Sequence, residues 1–285
     1  CRAQGADLLE MEPEERAAGR LRGHPFIRLS FIPRKAERLL IAPQDLRTAD
    51  GTRASEIYAG RFAFAGKVVI SDGRSPFEIA APSEEWAASL LGFGWLRHLR
   101  AAESGITRAN ARALVDEWIS VQGGWDPMAW QPEVLARRVT SWLSQAPLIL
   151  HDADDAFYRR FLRSLVRQVR YLRHTAIEAT MARFRGRPFS WGKVDCAKVA
   201  AFHLKKMGFK ISISKAGSYS SALGAQRAIV RMGYDTIPEL LDGLGLTRIP
   251  YSRLLLGDLV VADGHDGIAA IGIYASNGHV LGFHE

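Results

Sequence analysis

Cysteine is nearly absent from this chain: its 285 residues hold two, Cys1 and Cys196. Two thiols so far apart form neither a disulfide framework nor a thiolate metal site. No metal-ligand spacing and no nucleotide motif stands elsewhere, so neither a metal nor a cofactor is expected. Long apolar runs are missing too. Nothing approaches the roughly 18 uninterrupted apolar residues of a spanning helix, and the first twenty residues are charged rather than signal-like. No membrane partner is expected. The chain opens on Cys1 instead of methionine, and the expectation is a natural start further upstream, where a signal peptide would go unseen. Dense Lys/Arg blocks with interleaved aromatics are also lacking, which argues against nucleic acid despite a net charge of +8.

What is present is the composition of a soluble globular protein, with 47% hydrophobic and 24% charged residues. Its length suffices for two domains that each bury a core. Divided at Met181, the chain carries 25 basic and 22 acidic residues before that point and 13 and 8 after it. A basic surface of this kind suits a polyanion such as an acidic polysaccharide or cell-wall polymer.

Residues 1 to 55, rich in Arg, Pro, Ala and Gly, read as an irregular leader. Arg61–Phe64 and Val68–Ile70 read as a small hairpin. Four helices are then expected. Ser83 caps the first, with Trp86, Leu90, Phe93 and Leu96 on its apolar face. Thr107 caps the second, and Pro132 sits in the first turn of the third. Asp152 opens the fourth, whose apolar stripe Phe157, Phe161, Leu165, Val169 and Leu172 lies beside a row of Arg159, Arg163, Arg167 and Arg170. That row reads as a solvated face. His98, His151 and His174 read as surface or packing residues.

Ala59–Gly66, Ser83–Trp86, Gly94–Arg97, Ala109–Arg112, Phe157–Leu162 and Tyr171–His174 together resemble the N-terminal helical region of bacterial heparinase II/III-like proteins, over residues 55 to 178. The resemblance implies the start of an α/α toroid. In that family β-elimination from uronic-acid polysaccharides uses Tyr and His from portions that follow this region, so no lyase residue is carried onto this chain. At Met181 the sequence changes character without a linker, as a fusion or a join of two reading frames would.

The second region turns on Asp195-Cys196, where a turn becomes a helix with Ala197, Val199, Ala200, Phe202 and Leu204. A thiol there lies near unsatisfied N–H groups and the positive end of the helix dipole, which lowers its pKa. The alternative is a buried apolar cysteine. Trp191-Gly192 before it, then Leu256–Val260, Ile271–Tyr274 and Asn277-Gly278, resemble the NlpC/P60 cell-wall peptidase superfamily. The order is most similar to a phage-associated branch known as DUF6950. The resemblance covers residues 181 to 285 and implies a papain-like core with Cys196 as nucleophile. The family's histidine falls at Ala270 and its third polar residue near Gly282. His265 and His284 are therefore the substitute bases. Asp195 is a helix cap or orienting group, and His203, seven residues after Cys196, a packing residue.

The expected architecture is multidomain. Residues 1–55 form a leader, 56–180 an α-helical, partial α/α toroid-like domain, and 181–285 an α+β papain-like (NlpC/P60-like) domain. The expected function is a cysteine peptidase or amidase, active or catalytically degenerate, with catalytic Cys196, His265 and His284. The alternatives are a non-catalytic phage or cell-wall assembly module and an acidic-polysaccharide-binding fragment. Partners would be a peptidoglycan-type peptide or an acidic polysaccharide, in a bacterial or phage setting, cytoplasmic or periplasmic.

Overall fold

A computed structural model describes residues 38–102, 104–121, 124–264, 268–276 and 278–283. The chain is a mixed α+β protein of many helices and two small sheets. Its described residues divide into two compact units, those up to Leu172 and those from Arg173 onward.

In the first unit α1 (Gly51–Tyr58) precedes a hairpin of β1 (Arg61–Phe64) and β2 (Lys67–Ile70). Residues 51–55, expected within the leader, are helical because Asp50 caps them through the Thr52 N–H (2.9 Å) and Ala54 and Ile57 are buried. The hairpin pairs Arg61 with Ile70 and Phe64 with Lys67, and turns at Ala65-Gly66 with φ of 48° and 73°, the left-handed pair that a two-residue hairpin turn requires.

The helices that follow are α2 (Glu84–Leu91), α3 (Leu96–Ala101), α4 (Gly105–Val121), α5 (Pro132–Ser144), α6 (Ala146–Leu150) and α7 (Asp155–Phe184). Ser83 caps α2 as expected, accepting from the Trp86 N–H at 3.3 Å. The expected apolar face does not continue in one helix to Leu96. The chain breaks at 92–95, where Phe93 takes a φ of 54°. Ser104, not Thr107, receives the N–H that opens α4 (3.1 Å), and Asp154, not Asp152, receives that of Phe157 (2.7 Å).

Phe93, Trp118 and Trp142 form mutual edge contacts at 5.4 to 6.0 Å, and Phe161 stacks on Trp142 at 5.3 Å. All four are fully buried. Burial of each such ring contributes about 2–3 kcal/mol, and each ring pair about 1 kcal/mol more. Arg138 is fully buried among them. Its guanidinium lies 4.1 Å over the Trp118 ring and donates to Gln168 Oε1, Leu91 O and Ala129 O at 2.7 to 2.9 Å. Those partners make the buried cation tolerable. Arg167 of the expected solvated row covers the Trp130 ring at 5.1 Å.

The division at Arg173 lies inside α7, so the change of character at Met181 falls within a continuous helix. Ile177 and Phe184 of that helix are buried with Val194, Val199, Ile273 and Leu281 in the second unit's core. Thr180 is fully buried there. An apolar repeat that runs unbroken through 184 keeps the helix going, whatever the origin of the sequence on either side.

The second unit continues with α8 (Cys196–Lys206), α9 (Ala222–Arg231), α10 (Ile237–Gly243), β3 (Leu259–Ala262), β4 (Ala270–Ser276) and β5 (His279–Leu281). The strands form an antiparallel sheet in sequence order, with Ala262 opposite Ala270 and Ile273 opposite both Leu259 and Leu281. Helix α8 packs on β4 through Ala200 and Ile271. His203 is fully buried. Its Nε2–H donates to the Gly257 carbonyl (3.0 Å) and its Nδ1 lies 3.1 Å from the Thr180 hydroxyl. It is a packing residue, and burial lowers its pKa.

Candidate functional site

The segment before α8 is a tight turn held by Asp195. One carboxylate oxygen accepts from the Lys198 N–H (2.9 Å) and the other from the Gly192 N–H (2.7 Å). Asp195 is buried and serves as the expected N-cap. Gly192 has a φ of +73°, and a Cβ there would stand 2.0 Å from the Tyr219 carbonyl oxygen. The Trp-Gly of the sequence is therefore a place where the 219 loop lies directly on the turn. Ser190 and Val194 close it with a bridge.

Cys196 is the first residue of α8 and half-buried. The nearby backbone N–H of Ile271, at the start of β4, favours its thiolate. Burial nevertheless pushes the thiol up from its ordinary value, and the Asp195 carboxylate beside it adds to the rise. The expected lowering by the helix end does not prevail. Desolvation and a neighbouring anion both oppose a thiolate.

Tyr219 completes the group. Burial and the Asp195 carboxylate raise its phenol well above the usual range, and the Lys198 ammonium lies 5.8 Å over its ring. Nothing in the sequence marks Tyr219, since it stands in a Gly/Ser-rich loop whose partner turn is more than twenty residues away. Its proximity is set by the missing side chain of Gly192.

Cys196, Asp195 and Tyr219 stand at one end of a cavity of about 80 Å³. Trp191 and Lys198 also line it, and most of the remaining wall is aliphatic, with Leu204, Ile229 and Leu241 among the contributors. The structure brings Asp195 and Cys196 together as expected and places the exposed Ala270 next to Ile271. His265 and His284 lie outside the described residues. Among the described residues no histidine lines the cavity and no group of acids, histidines and cysteines could hold a metal.

Residues 170–285 match the family model of DUF6950, a domain of unknown function. The match begins within α7, three residues before the division at Arg173. A curated relative, FtsZ-localized protein C of Caulobacter vibrioides, is 33% identical over 146 residues, which is 51% of this chain and 25% of that protein. The chain therefore spans about a quarter of the length of the relative it matches. No solved structure matches.

Proposed function

We propose that residues 173–285 are a papain-like module of the NlpC/P60 kind in which the hydrolytic chemistry has been lost, and that it binds a peptidoglycan-type peptide instead of cleaving it. What supports this is the setting of Cys196, half-buried beside the Asp195 carboxylate and with Ala270 in the neighbouring strand. A thiol raised by burial and by Asp195 is a poor nucleophile. Amide cleavage further needs a proton for the leaving nitrogen, and Ala270 occupies the strand position from which the superfamily's histidine would supply it.

The arrangement suits binding. An apolar cavity takes one aliphatic side chain of a ligand, while Tyr219 and Lys198 offer polar contacts in its wall. The helical region before it, with its heparinase-like sequence, belongs to the proposal as a scaffold without lyase apparatus. The relative's name adds a place to look, and co-localisation of a fluorescent fusion with FtsZ would test it.

The deciding experiment follows iodoacetamide labelling of the Cys196 peptide by mass spectrometry at neutral pH, beside an assay for released peptidoglycan peptides. Labelling slower in the folded chain than in a denatured control, with no hydrolysis, is the expected result. Hydrolysis that disappears in Cys196→Ala would overturn the proposal, and would point to His265 or His284 as the base.

A further inference from the structure

The first unit holds a second cavity, unrelated to Cys196. It is a cleft of about 640 Å³ into which Arg47, Arg53, Lys67, Arg97, Arg137 and His98 face. No carboxylate among the described residues lines it. Arg47 holds both oxygens of Asp45 through Nε and Nη2 at 2.8 and 2.7 Å, and no other cation of the group forms an ion pair with an acid among the described residues. That contact keeps the Asp45 carboxyl at about 2. Among the described residues Arg97 is held by carbonyls, its Nε on Thr48 O (2.9 Å) and its Nη1 on Gly94 O. Lys67 donates to the Pro82 carbonyl, at 2.8 Å.

Two of these groups converge. A Cβ at Gly94 would lie 3.5 Å from Arg47 Nη1 and 3.6 Å from Arg97 Nη1. The missing side chain therefore leaves an empty seat between two guanidinium groups, and both still have N–H groups to donate after their contacts with Asp45, Thr48 and Gly94 are counted. The concentration of positive charge is felt locally. Burial first, then Arg97 and Arg53, push His98 down to about 4, and its Nδ1 accepts the Asp50 N–H at 3.0 Å. Arg97 itself is lowered by burial and by Arg47.

We propose that this cleft binds a phosphate-bearing small molecule, with one phosphate group seated over Gly94 between Arg47 and Arg97 and the remaining charge met by Arg53, Lys67 and Arg137. The volume is that of a small-molecule site. Planar guanidinium forks suit oxyanions with several acceptor oxygens. A dianion with three free oxygens can satisfy both forks at one point, which a single carboxylate with two oxygens cannot. An acidic polysaccharide spreads its carboxylates one to a sugar, whereas Arg47 and Arg97 close on one place, over Gly94.

The test is calorimetric titration of the full chain with inorganic tripolyphosphate, and separately with oligogalacturonate, at low and raised salt. Tripolyphosphate should bind, with affinity that falls as salt screens it. Gly94→Asp, which sets a carboxylate in the seat, and the double variant Arg53→Ala with Arg137→Ala should each weaken binding at least about tenfold. The double variant Arg159→Ala with Arg163→Ala, on the exposed side of α7, should leave it unchanged. Far-UV dichroism and thermal midpoints close to those of the parent chain would show that the variants fold, and if Gly94→Asp does not, the arginine double variant decides. Absence of tripolyphosphate binding, tighter binding of oligogalacturonate, or an equal loss in the Arg159/Arg163 control would each overturn the proposal.

Discussion

The Cys196 turn depends on single atoms. Gly192→Ala would force a methyl group into the Tyr219 carbonyl at a φ that alanine disfavours, and should cost about 2–3 kcal/mol. Asp195→Ala should cost about 1–2 kcal/mol, because the Lys198 and Gly192 N–H groups lose their acceptor together. Urea unfolding followed at the second unit checks both, and an unchanged midpoint for Gly192→Ala would mean that the loop is not pressed against the turn. His98 supplies a pH prediction with a definite sign. The unfolded chain takes up this proton near 6.5 and the folded chain only near 4. The resulting stability is complete above the unfolded value and is lost as pH falls from about 6.5 towards about 4. His203, lowered in the same direction, adds to the slope, while Asp45 at about 2 acts only at still lower pH. Denaturation midpoints at pH 7 and pH 5 should therefore differ, and His98→Asn should reduce the difference. Midpoints that stay level on acidification would contradict this.

At the scale of elements, α7 makes the sharpest prediction. A fragment starting at Met181 loses Ile177 from the second unit's core and the Thr180 hydroxyl from buried His203. A fragment of residues 170–285 keeps both and should unfold at a clearly higher temperature. Equal melting of the two would show that 170–180 adds nothing to that unit. The same helix separates what the sequence discloses from what it does not. Its apolar stripe is plain from Phe157 to Leu172, as are the Ser83 cap, the Pro132 start, the hairpin, and the helix beginning at Cys196, because each is a local pattern. The break at 92–95 is hidden, since Trp86, Leu90, Phe93 and Leu96 keep helical spacing while Phe93 turns left-handed to reach Trp118 and Trp142. The state of Cys196 is hidden for a related reason. The helix end that favours a thiolate is written in the sequence, whereas the burial that opposes it comes from side chains distant in sequence, such as Ile229, Leu241 and Ile271, which pack around the thiol.

At the scale of the whole molecule, an excess of eight positive charges describes the chain poorly, because position decides what charge does. Several arginines of α7 are already engaged, Arg160 by Asp116, Arg163 by the Arg159 carbonyl and Arg167 by Trp130. Those of the 640 Å³ cleft face an opening without acids. Charge alone does not make a lyase, and the heparinase-like resemblance brings no catalytic residue with it. The full chain should give no unsaturated product from heparin-like or alginate-like substrates, read by ultraviolet absorbance. Such product would require acid–base residues assigned to neither site.

The tryptophans have a practical consequence of a different kind. Six of the seven, Trp86, Trp95, Trp118, Trp125, Trp130 and Trp142, belong to the first unit, and Trp191 alone belongs to the second. The edge-on pair Trp118 and Trp142 at 5.4 Å is close enough for its transitions to couple, so near-ultraviolet dichroism is an optical signature of the first unit. Trp191, set against Phe189 at 4.9 Å and lining the Cys196 cavity, is the emission that a ligand there would change. Subtracting the spectrum of Trp191→Phe from that of the parent chain isolates it, so each half of the molecule can be watched in the presence of the other without an added dye.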